Sequence, residues 1–208
     1  MRMIQWFNDA PVGISTRDDG TRVIFGYASV FWNPNDPGTE YQLGRDLRER
    51  IARDAFSRAL NERQDVRGLF NHDSSQVLGR VANGTVKLMT DDRGLRYEIT
   101  PPDTQVGRDV VALLERGDVT GSSFAFMPTK TAFEKGQEYN VRWIQDLTLL
   151  DVGPVTYPAY TSASSAVRSV SDPEIAQDYA AWKASQHDWL KRQKRLRQIS
   201  LIEKGLTG

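Results

Sequence analysis

The feature that most limits what this chain can fold into is a succession of short β-branched and aromatic runs. Each is ended by glycine, proline or an Asp/Asn cluster. Thr21 to Phe31 reads as a strand, closed by a loop at Asn33–Gly38 that contains two prolines and a glycine. Val66–Phe70 and Val77–Val81 read as strands on either side of the loop Asn71-His72-Asp73-Ser74-Ser75. Val86 and Leu88 alternate, Asp91–Gly94 turns, and Leu95, Tyr97 and Ile99 alternate back as a hairpin. Val119–Met127, Tyr139–Ile144 and Leu147–Val155 complete the set, with Pro154 and Pro158 limiting the last.

Helices are fewer. Asp54–Glu62 places Ala55, Phe56, Ala59 and Leu60 on one face, with Asp54 as a possible cap. Residues 104–116 place Val106, Val110, Leu113 and Leu114 on one face, and Gly117 stands where a C-terminal cap belongs. The pattern thus predicts about seven strands with two or three helices. The expected class is α+β, mainly β: a closed or nearly closed β-barrel with interspersed helices.

Composition shifts at Thr161–Ser171, a small-polar stretch that reads as a linker. The expected division is residues 1–168 as the main domain and 169–208 as a linker with a charged amphipathic C-terminal helix. Asp172-Pro173-Glu174 has the cap, the first-turn proline and the acidic residue of a helix start. Ile175, Trp182, Trp189 and Leu196 recur every seven residues, with Tyr179 on the same side, and Lys191, Arg192, Lys194, Arg195 and Arg197 crowd the last third. Such a stripe either packs on its own domain or grips a partner.

The residue counts remove several chemistries. The chain has no cysteine, which excludes disulfides, zinc–thiolate sites and thiol nucleophiles. Its two histidines leave little for an imidazole metal centre, and neither a cofactor nor a metal is expected. Lys+Arg and Asp+Glu are 27 each, so overall charge offers no case for nucleic-acid or membrane binding. The opening Met1–Phe7 turns polar too soon to read as a signal peptide, and no apolar run approaches the roughly 20 residues of a membrane helix.

Ser122-Ser123 follows Gly121 in a predicted strand. Alternation puts Ser122, Phe124 and Phe126 on one face and Ser123 and Ala125 on the other. The phenylalanines claim the core, so Ser123 is expected on the more open side and is the better candidate nucleophile. A serine hydroxyl needs an adjacent base. His187 sits in the charged tail, which leaves His72. The base in turn needs an orienting carboxylate. Asp73, Asp146 and Asp151 are candidates, and Asp73 is poorly placed to reach the second ring nitrogen of its own neighbour. Asp151 lies in the apolar run Leu149-Leu150-Asp151-Val152, where an unpaired carboxylate is costly. Its partner is either His72 or one of the arginines.

Four stretches carry a family resemblance. They are Glu49-Arg-Ile-Ala-Arg-Asp-Ala-Phe56; Asn71-His72-Asp73 followed by Leu78-Gly79-Arg80; Gly117-Asp-Val-Thr-Gly-Ser-Ser-Phe-Ala-Phe126; and Leu150-Asp151-Val152 through Thr156-Tyr157-Pro158-Ala159. In order and spacing across residues 23–168 they resemble the tailed-phage prohead maturation proteases, distant relatives of the herpesvirus assemblin serine proteases. The resemblance implies a serine endopeptidase with His72 as base, Ser123 as nucleophile and Asp151 as third member. At two positions the chain departs from the pattern: Asp151 stands where glutamate is usual, and Gly153 where serine is usual.

The resemblance further implies a substrate, the scaffolding segment of the major capsid protein, and cleavage of the chain itself. It places the protein in the host cytoplasm, inside the immature phage head, as a dimer or higher homo-oligomer. Backbone amides would hold the oxyanion, with Arg80 or Arg108 as possible helpers. Two other readings compete. One is a catalytically inactive scaffold or structural head protein that keeps the fold. The other, a serine esterase of different fold, lacks its Gly-x-Ser-x-Gly elbow here.

Overall fold

A computed structural model describes residues 4–8, 12–157 and 173–203. The chain divides into two compact units, Met1–Val167 and Arg168–Gly208.

The first unit is a mixed α+β structure, mainly strands. In chain order its strands are β1 (Ile4–Asn8), β2 (Gly13–Thr16), β3 (Arg22–Val30), β4 (Tyr41–Gln42), β5 (Leu47–Ile51), β6 (Arg67–Leu69), β7 (Val77–Arg80), β8 (Val86–Thr90), β9 (Gly94–Ile99), β10 (Gly121–Glu134) and β11 (Asn140–Val155). Two helices interrupt them, α1 (Ser57–Asn61) and α2 (Gln105–Arg116). The second unit holds α3 (Pro173–Glu203).

The strands form two sheets. One has seven strands in the order β1-β10-β11-β5-β4, with β6 pairing both β11 and β7; the other has four, β2-β3-β9-β8. Strand pairing among the described residues leaves both sheets open, where the sequence predicts a closed or nearly closed barrel. The reason lies in β3, which pairs with β2 and β9 and not with the long β10–β11 ladder. The sheets instead share one core, in which Ile24, Leu95, Tyr97 and Ile99 pack with Phe124, Phe126, Ile144, Leu149 and Val152. Phe124 and Phe126 stack with ring centroids 4.8 Å apart, as alternation on β10 requires.

Local chemistry explains several boundaries. Thr104 caps α2 by accepting from Gly107 N, and Gly117 ends it at φ 77, a left-handed position that favours glycine. The expected helix from Asp54 shortens to the five residues Ser57–Asn61, with Phe56 at the N-cap position and no side-chain cap. Asp54 serves instead through its carbonyl, which accepts from Ser57 N in the preceding turn. Tyr139–Ile144 and Leu147–Val155 merge into one strand, Asn140–Val155, because Asp146 pairs with Lys130 and the ladder passes Gln145 as an irregularity.

Candidate active site

β11 is the axis of the site. It pairs antiparallel with β10 on one side and parallel with β6 on the other. Ser123 on β10 lies opposite Gly153, and Ala125 opposite Asp151. Residues two apart share a face, so Ser123, Ala125, Asp151 and Gly153 look the same way. Ser122 looks the other way, into the core, where its Oγ lies 2.8 Å from the buried Tyr97 hydroxyl. Burial pushes the ionisation of that Tyr97 hydroxyl upward. The pair ties the nucleophile strand to β9, and nothing in the sequence marked it.

His72 arrives from the loop that follows β6. That loop is tightly determined. Phe70 N donates to Gln76 O at 3.1 Å and Asp73 N to Phe70 O at 3.0 Å. Asn71 and His72 sit at φ 54 and φ 58, consecutive non-glycine residues in the left-handed region. Each such residue costs of order 1–3 kcal/mol and persists only where surroundings hold it. Here the holding groups are explicit. Asn71 N donates to Pro154 O at 3.1 Å, Asn71 Nδ2 donates to Thr156 Oγ1 at 3.1 Å, and Thr156 N donates to Asn71 Oδ1 at 2.8 Å. The end of β11 thus clamps the residue before His72.

The result is a linear constellation. His72 Nε2 lies 2.6 Å from Ser123 Oγ, and His72 Nδ1 lies 2.5 Å from Asp151 Oδ1. A carboxylate only accepts, so Nδ1 carries the ring proton and Nε2 is left to accept from the serine hydroxyl. That is the arrangement required for general-base activation of a serine. Ser123 is completely buried, and the side chains of His72 and Asp151 are 6% and 7% exposed. The face expected to be open is therefore covered.

The other candidates are engaged elsewhere. Asp73 closes its own loop, accepting from Ser75 N, Ser75 Oγ and Gln76 Nε2. The Ser75 and Gln76 hydrogen bonds hold its carboxyl below the usual range. Asp146 accepts from Arg58 and Thr129. Burial raises its carboxyl, but those bonds outweigh burial and leave it lowered. Arg80 is bound to Asp65, and Arg108 to Asp103. The His187 side chain lies outside the described residues.

Comparison with known proteins identifies a family. The matching family model is that of the caudovirus prohead serine proteases, over residues 10–177. A solved structure with a similar course is the capsid assembly protease gp21 of bacteriophage T4. It is 10% identical, with a TM-score of 0.47, covering 76% of this chain and 98% of the other. No curated protein matches.

Proposed function

Because the chain belongs to the caudovirus prohead serine protease family, we propose that it is a serine endopeptidase of capsid maturation, with Ser123, His72 and Asp151 as its catalytic residues. The observation that carries this is the unbroken contact from Asp151 Oδ1 through the His72 ring to Ser123 Oγ. In the proposed cycle Ser123 Oγ attacks a peptide carbonyl while His72 Nε2 takes its proton. His72 then protonates the leaving amine, and water repeats the sequence on the acyl-enzyme. Asp151 holds the Nδ1–H tautomer and stabilises the imidazolium. Backbone N–H groups near Ser123 serve the developing oxyanion.

The substrate we assign is the scaffolding segment of the major capsid protein, inside the immature head in the host cytoplasm, with cleavage of the chain itself. Residues 1–168 act as the protease domain, working as a dimer or larger homo-oligomer. The tail beyond residue 168 serves as a partner-binding helix. Trp189 and Leu196 on α3 are 57% and 51% exposed, which suits that use.

One observation favours the second reading, a non-enzymatic head protein: the complete burial of Ser123. Co-expression with the major capsid protein separates the two. The wild-type chain is expected to shorten both the capsid protein and itself, and Ser123→Ala to leave both at full length. Unprocessed capsid protein in both cases supports the inactive reading, and processing by Ser123→Ala removes the nucleophile assignment.

A further inference from the structure

Gly153 stands directly opposite Ser123 on the face that also carries Asp151. A side chain here would ordinarily stand beside the nucleophile. The space is filled by backbone: a Cβ on Gly153 would lie 1.9 Å from Leu69 O, 3.0 Å from Leu69 C and 3.2 Å from Leu69 N. These are main-chain atoms, which cannot swing aside as the end of a flexible side chain can. The chain leaves β6 at Leu69, beside an irregularity in its pairing between Gly68 and Leu69, and runs through Phe70 and Asn71 to His72. Asn71 N then binds Pro154 O, the carbonyl next along β11.

We propose that Gly153 is a positioning residue: its missing side chain is the gap through which the Leu69–Asn71 segment crosses the sheet to lay His72 between Asp151 and Ser123. The inference rests on the Ser123–His72–Asp151 reading. The crossing segment sits close enough to the sheet for a carboxylate on a single methylene to reach Nδ1, while Nε2 reaches the hydroxyl. A methyl group at 153 lifts Leu69 and the ring that follows it. A carboxylate on two methylenes recovers part of the lost reach. Positions 151 and 153 are therefore energetically coupled through His72, although 153 makes no side-chain contact of its own.

The test uses the full chain as wild type, Gly153→Ala, Asp151→Glu and the double variant. The readouts are the rate of covalent labelling of Ser123 by a fluorophosphonate and the melting temperature. Gly153→Ala is expected to slow labelling about 100-fold, the scale of a displacement near an ångström at a reacting pair. Asp151→Glu slows it about tenfold, and the double variant labels faster than Gly153→Ala alone.

Three results overturn the proposal. One is wild-type labelling by Gly153→Ala. Another is two losses that simply multiply in the double variant. The third is loss of folded protein that accounts for the whole effect in both backgrounds. His72→Ala is the separate control. If it labels at the wild-type rate, the catalytic reading itself has failed, whatever position 153 does.

Discussion

Asp146 and Asp151 stand on the same strand, yet their partners differ in kind. Asp146 is part-exposed and meets the Arg58 guanidinium and the Thr129 hydroxyl. Asp151 is buried and meets the His72 ring, which also touches Ser123. A carboxylate beside a guanidinium is compensated at once and stays so, because arginine does not give up its proton. A buried carboxylate beside a neutral imidazole is compensated only when the ring takes a proton. The first arrangement fastens α1 to β11. The second, in the proposed cycle, holds a site whose electrostatics improve as a proton leaves the serine. On the proposed reading, the same residue type on one strand does structural or chemical work according to the partner it meets.

The largest expected effect comes from removing the charge at the second site. Asp151→Asn keeps the shape but can present its amide N–H to Nδ1, which favours the wrong tautomer. Peptide cleavage should fall about 10⁴-fold, with little change in melting temperature. A fall of less than tenfold would erase the distinction drawn between the two aspartates.

Next in size is the buried ion pair between Glu49 and Arg142, opposite each other on β5 and β11. Glu49→Gln leaves the buried Arg142 without its charge partner. The expected loss is about 3–5 kcal/mol of unfolding free energy, measured by urea titration, with activity per folded molecule retained.

A smaller effect is expected at the clamp before His72. Asn71→Gly accepts the positive φ without strain but loses both side-chain bonds to Thr156. Cleavage should slow about tenfold, within the range of misplacement effects; Thr156→Val, which loses only the hydroxyl bond, should slow it by less, and Thr156→Ser should not slow it. Equal rates in Thr156→Val and Thr156→Ser would mean that the hydroxyl does not hold the loop.

The smallest effect belongs to Asp146→Asn: unchanged cleavage and a slight loss of stability. Its pH dependence has a definite sign. The Asp146 carboxyl is lowered in the folded chain, against about 3.9 when unfolded. Its stabilisation is therefore fully present above the unfolded value and lost as pH falls through the lower folded one. Stability curves of wild type and Asp146→Asn should converge only in that acid range. A constant gap down to pH 2 would contradict the pairing with Arg58.

Much of this was legible in the chain itself, and what was not has a physical cause. Alternation on β10 separated Ser123 from Ser122, because two phenylalanines claimed one face and left the other to the hydroxyl. The apolar neighbours of Asp151 marked it as needing a partner, and the scarcity of histidine limited the choice. β5 is hard to read from the sequence because Leu47-Arg-Glu-Arg-Ile places Glu49 inward, where a distant Arg142 helps make burial tolerable. β4, with two residues, is too short for any periodicity. Barrel closure is not legible in the sequence, because strand count says nothing of which strands pair. The covering of Ser123 was invisible for a similar reason: alternation assigns a face but not what lies over it. The crossing at Gly153 depends on a backbone passing from far along the chain, which no local pattern records.

The most direct test is to label the cleavage-competent chain with a fluorophosphonate and locate the adduct by peptide mass spectrometry. A single adduct on Ser123, absent from His72→Ala, is the predicted outcome. An adduct on Ser122, or undiminished labelling of Ser123 in His72→Ala, would contradict the relay from Asp151 through His72 to Ser123.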